Sequence, residues 1–165
     1  MVSFAHKVDI APEFRAELDS SEYFYLREIS EPRDNSLRLV IEEAAAGLEE
    51  PPRKVAGVVF SGLHRIEGTG RLFELSWDIY VAYSVQNESY SKLDETDKVE
   101  SGRLVRIYSR SRFLDHISMT TIATPEYPGP LLHVEVICLN HVIDVAATEP
   151  PKIRLVGARS KPNPN

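Results

Sequence analysis

The sequence predicts a mainly β fold, with a β-rich α+β arrangement as its variant: an antiparallel sandwich or half-open barrel carrying one or two short helices. Three observations point there. From Leu72 to Gln86 the residues Phe73, Leu75, Trp77, Ile79, Val81, Tyr83 and Val85 occupy every odd position, the period of two that a strand with one buried face requires. Turn-forming residues recur at short intervals, as in SEPRDNS and TPEYPGP, each for its own backbone reason. No strand–helix–strand spacing of the kind that builds a parallel sheet occurs.

Taken in order, PEFRAELDS places Pro12 in the first turn of a short helix, with Phe14 and Leu18 on one side. EYFYLREI reads as an aromatic-rich strand, and Leu37, Leu39 and Ile41 as its antiparallel partner across SEPRDNS. The stretch 42–50, EEAAAGLEE, reads as strand end plus loop, with a helical turn as the alternative. KVAGVVFS is a short β-branched run that His64 to Glu67 continues, and Gly68 and Gly70 are expected to close it in a tight turn.

The 72–86 run follows. At roughly 3.3 Å per residue it would reach about 50 Å as one strand, so a bend or bulge is expected within it. After a long polar connection, residues 103–109 return as a strand. SRSRFLDHI then breaks the two-residue period and predicts a short amphipathic helix capped by Ser109 or Ser111. LLHVEVICL and VIDVAA are strands joined near Asn140-His141. KIRLV is the last strand, and the tail 158–165 is expected to fray.

The chain of 165 residues is expected to form one domain, 1–165, large enough for a real core. A net charge of −6 argues against a nucleic-acid partner, which would require basic surface. The same charge suits a basic protein partner through electrostatic steering. The lone Cys138 precludes an intrachain disulfide and fits a reducing compartment. The segment MVSFAHKVDIAPEF has no basic stretch followed by an apolar run, and no window approaches the roughly 18 apolar residues of a membrane span. A cytoplasmic protein with no membrane partner is the expectation.

Four groups of residues carry candidate chemistry. The even positions Asp78, Tyr80, Ser84 and Gln86 would form a polar ridge opposite the apolar face of the 72–86 run. Asp94, Glu95 and Asp97 head an acidic connection suited to a basic partner, although Arg106, Arg110 and Arg112 could pair with it across their own hairpin. His133 and Glu135 share one strand face and, with His141 or Asp144, could contribute to a metal site if the register allowed. The competing reading of that pair is a strand edge exposing two polar groups. Cys138, between Ile137 and Leu139, reads as a small buried apolar residue rather than a nucleophile. No catalytic residue and no cofactor are assigned.

SRFLDHI together with GPLLHVEVICLNHVIDVAATEPPKIR resembles small β-rich bacterial proteins of uncharacterised function, over the C-terminal third of the chain. In size, charge and general character the chain is also similar to immunity proteins of bacterial toxin systems, including contact-dependent growth inhibition. That likeness implies a non-enzymatic protein that masks a toxin domain. The alternative expectation is a small-molecule-binding barrel or small metal-dependent hydrolase centred on His133, Glu135, His141 and Asp144.

Overall fold

The computed structural model describes residues 8–157, so the expected frayed tail at 158–165 lies outside the described residues. The chain begins with α1 (Pro12–Ser20), then β1 (Tyr23–Ser30) and β2 (Leu37–Glu49), the small pair β3 (Arg53–Val55) and β4 (Val58–Phe60), and β5 (His64–Trp77). It continues through β6 (Ala82–Asn87), a single 3-10 turn (Glu88–Tyr90), β7 (Lys98–Ser101), β8 (Val105–Arg110) and α2 (Arg112–Thr120). β9 (Leu132–Ile137), β10 (His141–Ala147) and β11 (Lys152–Gly157) complete it.

Two antiparallel sheets form a sandwich that does not close into a barrel. One has the order β1-β2-β5-β11 and the other β6-β10-β9-β8-β7. Phe24, Leu37, Leu39, Ile41, Phe73, Leu75 and Trp77 of the first sheet meet Val105, Ile107, Val134, Val136, Ile143 and Val145 of the second in one apolar core. Phe24 and Phe73 pack edge to face with ring centroids 6.1 Å apart. Full burial of such side chains stabilises the fold by about 1.5–3 kcal/mol each. A bulge at Arg27 (the β1–β2 register shifts between Leu26 and Glu28) lets both Leu26 and Ile29 pack on this core.

The helices sit where the sequence places them. Pro12 opens α1, whose Leu18 is fully buried. Arg15 leaves α1 to donate to the Val105 carbonyl at 2.6 Å, tying the helix to the five-stranded sheet. Ser111 caps α2 by accepting the Leu114 N–H at 3.1 Å.

Three expectations are corrected. The 72–86 run is not one strand: β5 ends at Trp77 and β6 begins at Ala82, each in a different sheet. Asp78 to Val81 carries the chain across the sandwich, and Ile79, expected on the apolar face, is 70% exposed at the corner. Residues 42–49 continue β2 rather than forming a loop, and Gly68 and Gly70 lie inside β5 rather than in a tight turn. The reason is shared: β2 and β5 remain paired beyond the core, from Ala44↔Gly68 to Glu49↔His64, with register shifts after Glu42 and Ala46. They carry the β3–β4 hairpin outward as a two-stranded arm.

Candidate functional site

Alternation sends His133, Glu135 and Asp144 to the outer face of the five-stranded sheet, because Val134, Val136, Ile143 and Val145 fill the core. Register then brings them together. Glu135 is the direct cross-strand partner of both Asp144 on β10 and Arg106 on β8, and His133 is the partner of Tyr108. Ser84 on β6 stands opposite Asp144 from the other side.

The side chains form two connected hydrogen-bonded groups. His133 is 2% exposed; its Nε2 lies 2.8 Å from Asp144 Oδ1 and its Nδ1 2.8 Å from Ser111 Oγ. Since the Asp144 carboxylate accepts, an Nε2–H ring with the Ser111 hydroxyl donating to Nδ1 satisfies every atom. Ser84 donates to Asp144 Oδ2 at 3.1 Å. Tyr108 donates to Glu135 Oε2 at 2.5 Å, and Arg106 Nη1 lies 3.5 Å from the same oxygen. Burial and this bond to Glu135 push the Tyr108 hydroxyl up to about 12. The His133 ring stacks on Tyr108 at 4.7 Å and is covered by Phe113 of α2 at 5.0 Å.

Above this floor lies a cleft of about 360 Å³ whose walls include Gln86, Tyr90, Lys92, Asp97, Arg112 and His116. The acidic connection forms part of its rim through its own pairings. Asp94 bridges Arg112 at 2.6 Å, and Asp97 accepts the Arg112 backbone N–H at 2.8 Å. Hydrogen bonds from Thr96, followed in weight by the Arg112 charge, hold the Asp94 carboxyl below its usual range. Glu95 remains exposed.

The sequence-predicted residues therefore divide. Gln86, Asp97, His133, Glu135 and Asp144 line one cleft, and Ser84 joins them through its hydrogen bond to Asp144. Asp78 and Tyr80 do not join them, because the chain changes sheet between Trp77 and Ala82. Asp78 pairs with Lys152 and with Arg33, the latter at 3.1 Å, and the Lys152 bond chiefly holds its carboxyl low. Tyr80 and Tyr83 both donate to Glu31, at 2.7 and 3.1 Å. His141 shares the strand parity of Ile143 and Val145, so it does not face Asp144, and its Nδ1 is buried without a partner among the described residues. Among the described residues no three His, Cys, Asp or Glu side chains are grouped to hold a metal ion.

Ser111 was not expected beside His133. It lies 22 residues away in sequence, and its only signal was a helix cap. Ser111, His133 and Asp144 are lined up like a nucleophile, base and orienting acid, but the chemistry does not follow. Ser111 is 1% exposed, its oxygen already accepts the Leu114 N–H, and it sits beneath α2. The three side chains are a polar link that ties α2 to the sheet and holds Asp144. No protein-family model matches the chain, and neither the curated proteins nor the solved structures include one similar to it.

Proposed function

We propose that this chain is a non-enzymatic binding protein that masks a protein partner, as an immunity protein masks a toxin domain, with the cleft as the receiving site. One observation carries the reading. Glu135 and Asp144 are fixed side by side on the cleft floor with side chains only 13% and 16% exposed. Like charges placed directly opposite on a sheet destabilise it, and an arriving lysine or arginine side chain would relieve that repulsion. The net charge of −6 favours a basic partner in the same sense. A bacterial cytoplasm is the setting this reading implies.

The test is growth rescue. The chain is co-expressed with the product of each neighbouring reading frame in turn, and wild type should protect the cells against one whose expression alone is toxic. Glu135→Gln combined with Asp144→Asn should protect less while the isolated protein keeps its unfolding transition. A wild-type chain that gives no protection, or a double variant that protects fully, overturns the proposal.

A second reading has its own observation: the cleft falls within the 300–1,000 Å³ range of small-molecule sites, with Tyr90 and Phe113 in its walls. Stoichiometric metal or a co-purifying small molecule in the isolated protein would favour it.

A further inference from the structure

The arm formed by β3 and β4 has no place in the cleft. Arg53, Lys54 and Val55 pair with Phe60, Val59 and Val58, and neither strand pairs with any other. Val55, Val58, Val59 and Phe60 are 60%, 55%, 62% and 46% exposed. The pairing puts Val55, Val58 and Phe60 on one face of the hairpin with Arg53, and Val59 on the other opposite Lys54, so each face exposes apolar side chains with one cation beside them.

The tip is apolar even where the backbone favours otherwise. The turn is Ala56-Gly57, with φ of 48° and 85°. Two-residue hairpin turns with both φ values positive usually take Asn, Asp or Gly at the first position, because those residues tolerate the left-handed region. Here an alanine keeps the sequence Val55-Ala56-Gly57-Val58-Val59 free of any polar side chain. The cations stand behind it. Residues 51–65 include Arg53, Lys54 and Arg65 and no Asp or Glu, in a chain of net charge −6. Arg53 and Arg65 are steered toward the base of the arm by Glu50, at 3.0 and 3.1 Å. Lys54 has no partner among the described residues. At about 3.3 Å per residue, Arg53 and Lys54 lie about 5–10 Å behind the turn.

We propose that this hairpin inserts its apolar tip into the interface of an anionic lipid surface, with Arg53, Lys54 and Arg65 at headgroup depth. The spacing matches the about 5–10 Å to which interfacial elements bury their apolar part. A protein groove covers one face of a two-stranded hairpin, whereas a lipid interface surrounds both. No helix among the described residues is long and apolar enough to cross a membrane, and insertion of a hairpin tip does not require one. The absence of a spanning run, which led the sequence to predict no membrane partner, therefore does not bear on this contact. The proposal is independent of the cleft.

The experiment is co-sedimentation of the full chain with phosphatidylcholine vesicles, with and without phosphatidylglycerol. Wild type should pellet with the anionic vesicles and be released by salt. Lys54→Ala should weaken binding about fivefold, the factor that one cation contributes near such a surface. Val58→Asp with Val59→Asp should abolish binding. Ala56→Asn suits the turn better than alanine, so it should preserve the fold while reducing binding, which separates tip polarity from misfolding. Unchanged Trp77 fluorescence verifies the core in each variant. Failure of wild type to pellet with anionic vesicles overturns the proposal, as does equal pelleting of the double aspartate variant. A doubled mass in light scattering that the aspartates return to monomer overturns it too, and assigns the arm to a second copy of the chain.

Discussion

Glu135 and Asp144 are direct cross-strand partners, and each carboxylate is held by a separate set of donors: Tyr108 and Arg106 on one, His133 and Ser84 on the other. The floor is therefore rigid without being neutralised by a shared counter-ion. That arrangement links the packing of α2 to the charge of the cleft, because the same His133 that binds Asp144 also binds Ser111 and lies against the tilted Phe113 ring.

Asp144→Ala tests this linkage. It strands the His133 Nε2–H in a buried site, at a cost of about 1–3 kcal/mol. Ser84→Ala removes one bond and should cost only about 0.5–1.5 kcal/mol. Urea unfolding followed by the fluorescence of Trp77, which is 3% exposed, measures both. Equal effects would show that His133 does not depend on Asp144.

Glu74 should make stability fall in acid. It is buried on the outer face of the four-stranded sheet, where it accepts from Arg154 at 2.6 and 3.1 Å and from Arg38 at 2.7 Å. The Arg154 bond is the largest influence holding its carboxyl below the usual 4.5, with Arg38 adding to it against the opposing effect of burial. A carboxyl lowered in the folded state stabilises the protein fully above its unfolded value and loses that contribution as pH falls through the folded one. Glu74→Gln should cost about 1.5–3 kcal/mol at neutral pH and flatten the decline below pH 4.5. Denaturant midpoints measured across that range check the sign.

Gly102 should be irreplaceable. Its φ is +86°, and a Cβ there would strike the Val105 carbonyl group, whose carbon would lie 2.9 Å away, as well as the Arg15 guanidinium. That carbonyl is the acceptor for Arg15, so the clash would also disturb the tie between α1 and β8. Gly102→Ala combines left-handed backbone strain with a backbone collision, and a loss of about 3 kcal/mol or more is expected. A thermal melt within a degree or two of wild type would refute this.

How far the sequence revealed this molecule depended on whether the relevant signal was local. Pro12 and Ser111 mark helix starts by their own chemistry, and both helices begin there. The change of sheet after Trp77 was hidden because Ile79 and Val81 keep the alternation going while the chain turns a corner. The shared face of His133 and Glu135 was legible from their spacing of two. The arrival of Asp144 opposite them was a matter of register, which no local pattern specifies. His141, three residues from Asp144, could have been assigned to the other face by parity alone. The apolar run at KVAGVVFS reads as one β-branched segment continued by His64, whereas the chain folds back at Ala56-Gly57 into the β3–β4 hairpin; its exposure depends on β2 and β5 continuing past the core, which composition does not reveal.

Cys138 should be inert in the native protein. It is 2% exposed at the end of β9, where its N–H bonds to the His141 carbonyl at 2.8 Å. Burial alone pushes its thiol up to about 12 from an ordinary 9.0. The reactive species is the thiolate, so a disulfide exchange reagent at mildly alkaline pH should label the native chain far more slowly than the unfolded one. The same shift has a stability consequence of definite sign. The unfolded chain loses this proton as pH rises past 9.0 while the folded chain retains it, so stability should begin to decline there. Cys138→Ala should remove that part of the alkaline decline, at a cost from the lost packing of about 1 kcal/mol at neutral pH. Rapid native labelling, at a rate close to that in denaturant, would mean that the turn between β9 and β10 opens on its own.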